Sequence, residues 1–93
     1  PYDIYGLRII YNLNNNKINN NKINNNYAYY IKNLIQNNYI TIDKFYDDYI
    51  KFPKNNNYQS LHMYIYDEIL LEIQIRDINM HFQATNGSAS NYY

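Results

Sequence analysis

Residues 61–76 read LHMYIYDEILLEIQIR, and the fold turns on how this stretch divides. Leu61 to Tyr66 has the β-forming composition of a strand, and Ile69 to Arg76 has it again. Asp67-Glu68 supplies the polar break between them, so the pair is predicted to be a hairpin. In the second strand Glu72, Gln74 and Arg76 alternate with Ile73 and Ile75. Successive strand side chains point to opposite faces, so the three polar groups share one face. Periodicity alone leaves that face as either a solvated sheet surface or the wall of a site.

The neighbouring segment tips the balance. Residues 53–62, PKNNNYQSLH, gather Pro53, Lys54, Tyr58, Gln59 and His62 around an NNN turn signal. Further out, Asp3 to Tyr11 reads as a strand. Residues 12–26, NLNNNKINNNKINNN, repeat an NNNKI unit and hold too little apolar surface to offset the cost of ordering them. They are expected to be a disordered, low-complexity insertion within one partial domain spanning 1–93; an Asn-rich self-association segment is the alternative. Residues 27–38 place Tyr27, Tyr30, Ile31, Leu34 and Ile35 at helical spacing, with Asn37-Asn38 as the stop. Residues 39–43 are a short strand, 44–59 are irregular, and a helix follows Asp77, its N-cap, with Gly87 as a break or close-packing point.

Composition excludes several functions. With 93 residues there is one domain at most. Net charge is zero with no basic run, so nucleic-acid binding is not indicated. There is no Cys, hence no disulfide framework and no thiolate zinc site. No apolar run reaches the length of a membrane span. The chain starts at Pro1 without a Met and reads as a fragment, with any targeting segment outside it. Asn, Ile, Tyr and Lys all have A/T-rich codons, so nucleotide bias accounts for much of the Asn and Tyr.

Four blocks, DIYGLRII (3–10), DYIKFPKNNNYQSLH (48–62), LEIQIRDINMH (71–81) and ATNGSAS (84–90), resemble in that order the alarmone synthetase domain of RelA/SpoT proteins. The resemblance implies an α/β (α+β), nucleotidyltransferase-like domain, here incomplete, with a mixed, mostly antiparallel sheet flanked by helices. It implies transfer of pyrophosphate from ATP to the ribose 3′-hydroxyl of GTP or GDP, giving AMP and the (p)ppGpp alarmone of the stringent response, with Mg2+ as cofactor. Asp3 falls on the family's magnesium-binding aspartate and Glu72 on its catalytic glutamate, which binds the metal or draws the proton from the hydroxyl. Tyr58 falls on the residue that stacks on guanine. Lys54, Asn56 and His62 match contacts on the GTP side, and Gln74 and Arg76 line or brace the pocket. Arg8 matches an ion-pair arginine, and Met80 and His81 support the site from the following helix. Asn57 stands where the family has Gly, at a position that calls for positive φ.

The chain also departs from the family. The pattern R-x-K-D-Y-I becomes Phe45-Tyr46-Asp47-Asp48-Tyr49-Ile50, so Phe45 and Asp47 stand where two cations hold ATP phosphates. An aspartate beside a triphosphate is repulsive. A guanine-nucleotide-binding regulatory domain without catalysis is therefore the alternative reading, and an Asn-rich interaction module is the third. A family member with Asn insertions in an A/T-biased chain suggests the plastid of a protist, with the cytoplasm as the alternative. Oligomeric state is not legible.

Overall fold

The computed structural model describes residues 5–13 and 21–87. Along the chain come β1 (Tyr5–Tyr11), α1 (Asn21–Asn38), β2 (Ile40–Thr41), a 3-10 turn (Asp43–Phe45), β3 (Asp47–Asp48), β4 (Leu61–Asp67), β5 (Ile69–Asp77) and α2 (Ile78–Asn86). The strands form one sheet in the order β1-β5-β4-β2, with β3 also paired to β4. Among the described residues only β1 and β5 run parallel; the other pairs are antiparallel. The α+β class and mostly antiparallel sheet are as expected.

The hairpin forms as its alternation requires. Leu61, Met63 and Ile65 of β4 lie opposite Ile75, Ile73 and Leu71 of β5. Leu7 and Ile9 of β1 continue these rows beside Ile73 and Ile75. This face carries the core, with Leu61, Met63, Ile65, Ile73 and Ile75 buried and α1 packed across them. Each such side chain contributes roughly 1.5–3 kcal/mol when fully buried. The reversal is tighter than expected: Asp67 pairs with Ile69, and Glu68 alone makes the corner at φ 63°.

Helix α1 differs from its sequence reading in two ways. It begins at Asn21, so residues 21–26 of the expected disordered tract are helical, while 14–20 lie outside the described residues. Helix elongation needs only one fixed residue per added bond once a packed nucleus exists. Here the packed part is Ala28, Ile31 and Ile35, and the tract is tied in where the Tyr11 hydroxyl donates to the Asn24 carbonyl. The buried stripe is also rotated. Ala28 is fully buried, whereas Tyr27, Tyr30 and Leu34 are exposed. The small residue lets the helix approach the sheet, and Tyr27 leans on Tyr11 at the flank, ring centroids 5.2 Å apart. The expected stop holds: Asn38 Nδ2 donates to the Leu34 carbonyl at 2.7 Å.

Between 39 and 59 the regular structure is shorter and more broken up than expected. The short strand shrinks to β2, and the stretch expected to be irregular contains the 3-10 turn and β3. Asp77 caps α2 as predicted, accepting from the Met80 amide at 2.7 Å. Gly87 closes it: its amide reaches the Phe82 and Gln83 carbonyls, and a Cβ there would collide with Gln83. No described helix is long and apolar enough to cross a membrane.

Ile75→Ala should cost about 2–5 kcal/mol in urea unfolding. Ile40→Ala, at a residue 71% exposed, should stay within about 0.5 kcal/mol. Glu68→Gly should raise stability by up to about 1 kcal/mol by relieving the left-handed corner.

Candidate functional site

The polar face of the sheet is set by register. Gly6 and Arg8 of β1 lie beside Glu72 and Gln74 of β5, which lie opposite Tyr64 and His62 of β4; His62 in turn pairs with Asp47 of β3. Glu72 is half-buried and held at both oxygens. Oε2 accepts from the Tyr64 hydroxyl at 2.6 Å and Oε1 from Gln74 Nε2 at 3.0 Å. Gln74 Oε1 accepts from Arg8 Nε at 3.3 Å. A groove of about 390 Å3 opens along Gly6, Leu7, Arg8, Glu72 and Gln74. Nothing lies within 4 Å of where a Gly6 Cβ would stand, so the floor beside Glu72 is open.

The NNN loop enters from the other side. Its base is fixed by Asp48, whose Oδ1 accepts from the Ile50 and Lys51 amides at 3.0 and 2.8 Å while Oδ2 accepts from the Tyr29 hydroxyl at 2.7 Å. The Asn57 amide donates to the Lys54 carbonyl at 2.8 Å, and the Lys54 amide to the Tyr58 carbonyl at 3.2 Å. Asn57 sits at φ 70°, the left-handed conformation foreseen for a residue in a glycine position. Asn56 Oδ1 accepts from the Tyr58 amide at 3.1 Å. The loop delivers Tyr58 against Arg76 and His62. Arg76 Nη1 donates to Tyr58 Oη at 3.2 Å, and Oη lies 2.7 Å from His62 Nε2. A guanidinium can only donate, so Tyr58 Oη accepts from Arg76, while one proton is shared between Oη and His62 Nε2. Burial pulls the His62 pKa below the ordinary histidine value, with Lys54 and Arg76 adding to the shift against Glu72 and Asp47. Lys54 Nζ stands 4.8 Å from the Tyr49 ring centroid and 5.6 Å from that of Tyr58, within cation–π range.

Of the predicted site residues, the structure brings together Lys54, Asn56, Tyr58, His62 and Arg76 in one cluster, and Glu72 with Gln74 in the adjoining groove. Asp3 lies outside the described residues. The Tyr58 ring is 0% exposed, with Lys54 and Arg76 close to it. Asn56 is turned to the loop's own backbone. Phe45 and Asp47 line one groove of about 390 Å3 with Lys44, Tyr64 and Leu70, on the far side of Tyr64 from the Glu72 groove. Two residues passed over in the sequence belong to the site. Tyr64 is the register partner of Glu72, which the hairpin alternation could have supplied. Tyr49 packs edge-on against His62, ring centroids 5.1 Å apart, and only the folded loop puts it there.

Comparison with known proteins agrees with this geometry. A family model described as "Region found in RelA / SpoT proteins" matches residues 2–93. The chain is 33% identical over 93 residues to a probable chloroplastic GTP diphosphokinase, RSH2, of Arabidopsis thaliana, covering 98% of this chain and 12% of that protein. It is 43% identical over 68 residues to a Rickettsia felis protein named for ankyrin repeats, covering 71% of this chain and 6% of that one. The small alarmone synthetase 1 of Bacillus subtilis, bound to its product pppGpp, superposes with a TM-score of 0.61 at 25% identity, covering 94% of this chain and 44% of that one. The chain thus spans 12% or less of these two curated relatives' length. With its sheet, its motif order and the family match in agreement, the chain belongs to the RelA/SpoT family.

Proposed function

We propose that the protein is a GTP pyrophosphokinase, moving pyrophosphate from ATP to the 3′-hydroxyl of GTP or GDP, and that this chain supplies its acceptor side and catalytic carboxylate. The observation that carries the proposal is the placement of Glu72 on an open groove wall, beside the Lys54–Tyr58–His62–Arg76 cluster. The names of the Arabidopsis relative and of the product-bound Bacillus structure support it. In the reaction the 3′-oxygen bonds to the β-phosphorus of ATP, AMP leaves with the bridging oxygen, and the hydroxyl proton passes to Glu72. Tyr64 and Gln74 hold the Glu72 carboxylate in place, and a carboxylate has lone pairs left beyond those two bonds.

Magnesium suits this donor set. It commonly uses one or two carboxylates plus substrate phosphates, and Glu72 is one such carboxylate. Asp3 is the proposed second ligand, three positions before Gly6, whose backbone pairs beside Glu72. When bound, the ion would neutralise phosphate oxygens. Lys54 is proposed to meet an acceptor phosphate, and Tyr58 is proposed to face the guanine base. His62 would brace Tyr58, and Asn56 would keep the loop closed.

The regulatory alternative, nucleotide binding without turnover, has one observation in its favour. Phe45 and Asp47, in place of two cations, share the second groove. The chloroplastic Arabidopsis relatives support the plastid location over the cytoplasm.

The full-length protein, given Mg2+, labelled ATP and GTP, should form alarmone. Glu72→Gln should lower kcat by about 100-fold or more, and Lys54→Ala should raise KM for GTP. No product from any variant, with GTP binding that Lys54→Ala weakens, would select the regulatory reading. No GTP binding at all would sink both.

The His62 pKa is depressed by folding, so its contribution to stability is present above the unfolded value of about 6.5 and lost as pH falls below it. Urea midpoints at about pH 7.5 and about pH 5 should differ less in His62→Gln than in the parent protein.

A further inference from the structure

The clearest interaction not used by the chemistry above runs from α2 to Arg76. Arg76 is 2% exposed. Its Nε and Nη2 both point at His81 Nδ1, at 3.2 and 2.9 Å, while Nη1 reaches Tyr58 Oη at 3.2 Å. Since arginine only donates, Nδ1 must be the unprotonated nitrogen of His81. We propose that His81 is a positioning residue for the guanine-nucleotide side. Its neutral Nδ1 holds Arg76 in the one orientation that keeps Tyr58 bonded to His62, so acceptor binding requires His81 unprotonated. The inference rests on the functional reading above for its nucleotide and on the hydrogen bonds alone for its mechanics.

The surroundings favour the neutral form. Arg76 on β5 and Arg8 on β1 are the cations that act on His81; Tyr58 lies behind Arg76, and on its own helix the nearest acid, Asp77, is spent on the N-cap. Burial and these two arginines lower the His81 pKa. A proton on Nδ1 would replace the acceptor of two Arg76 bonds with a third positive charge. The guanidinium would turn away, and Tyr58 Oη would lose the bond it accepts from Arg76 beside His62.

Asparagine can place an amide oxygen where Nδ1 stands and cannot titrate, which separates the acceptor from the ring. In the full-length protein, binding of labelled GTP should weaken roughly tenfold in His81→Ala at about pH 7.5, the size expected for losing a hydrogen bond to a charged group. His81→Asn should bind as the parent does at that pH and should lose the parent's weakening towards about pH 5.5. A nucleotide-free readout runs beside it: His62 ring resonances in NMR spectra should move in His81→Ala and stay in His81→Asn. Parent-like GTP binding and pH profile in His81→Ala would overturn the proposal, as would His81→Asn behaving like His81→Ala. If the parent binds no GTP at any pH, the functional reading fails, and the His62 resonances alone decide the positioning role. Unmoved resonances in His81→Ala would overturn it.

Discussion

The pairing of Tyr64 with Glu72 and of His62 with Gln74 decides which side chains can meet. Strand side chains alternate with period two, so a slip of one residue between β4 and β5 would send Glu72, Gln74 and Arg76 into the core and expel Ile73 and Ile75. The register is therefore enforced from the apolar side, by buried Leu61, Met63, Ile65, Ile73 and Ile75, and used on the polar side. The same residues that stabilise the sheet fix Glu72 between Tyr64 and Gln74. The loop is locked to this frame where the Ser60 hydroxyl donates to the Ile75 carbonyl at 3.1 Å and the Tyr49 amide to the Ser60 carbonyl at 2.9 Å. Tyr58 then falls three residues before a strand, β4, whose position is already fixed.

The hairpin, the polar stripe and the Asp77 cap were legible because each follows from a local rule of spacing or capping. What the sequence hid depends on distance between elements. Ala28 was not among the five residues placed on the helix face by spacing, yet among the described side chains of α1 it is the one fully buried. Helix approach favours the small side chain, and nothing in a one-dimensional pattern carries the approach distance. The burial of Tyr58 is not visible in the sequence, because Arg76, whose guanidinium donates to its hydroxyl, stands eighteen positions away. The Tyr29 bond to Asp48 is of the same kind, joining the helix to the loop base across nineteen positions.

Composition misled in a more specific way. An A/T-rich coding bias makes each Asn look interchangeable, but the three of the NNN turn are not. Asn55 is exposed, Asn56 turns its side-chain oxygen to the Tyr58 amide, and Asn57 takes the left-handed backbone. Asn suits both tasks because its short side chain bonds locally and tolerates positive φ. A biased chain can thus keep a demanding turn with the residue its codons favour, which is why the loop remains closed without the glycine.

The two grooves flanking Tyr64 then stand under unequal constraint. On the side of β1 and β5, Gly6, Arg8, Glu72 and Gln74 form a continuous polar line, and the loop cluster beside it is fixed at Asp48, Ser60, Asn56 and Asn57. On the other side, Phe45 and Asp47 share their groove with Lys44, whose ammonium lies 5.2 Å from the Phe45 ring centroid. Asp47 opposes a polyphosphate, and Lys44 is one charge on a flexible stem where the family pattern has two. Among the residues lining that groove, Lys44 is the one cation set against Asp47. The same Tyr64 that lines this second groove hydrogen-bonds Glu72, so the two grooves meet at one side chain.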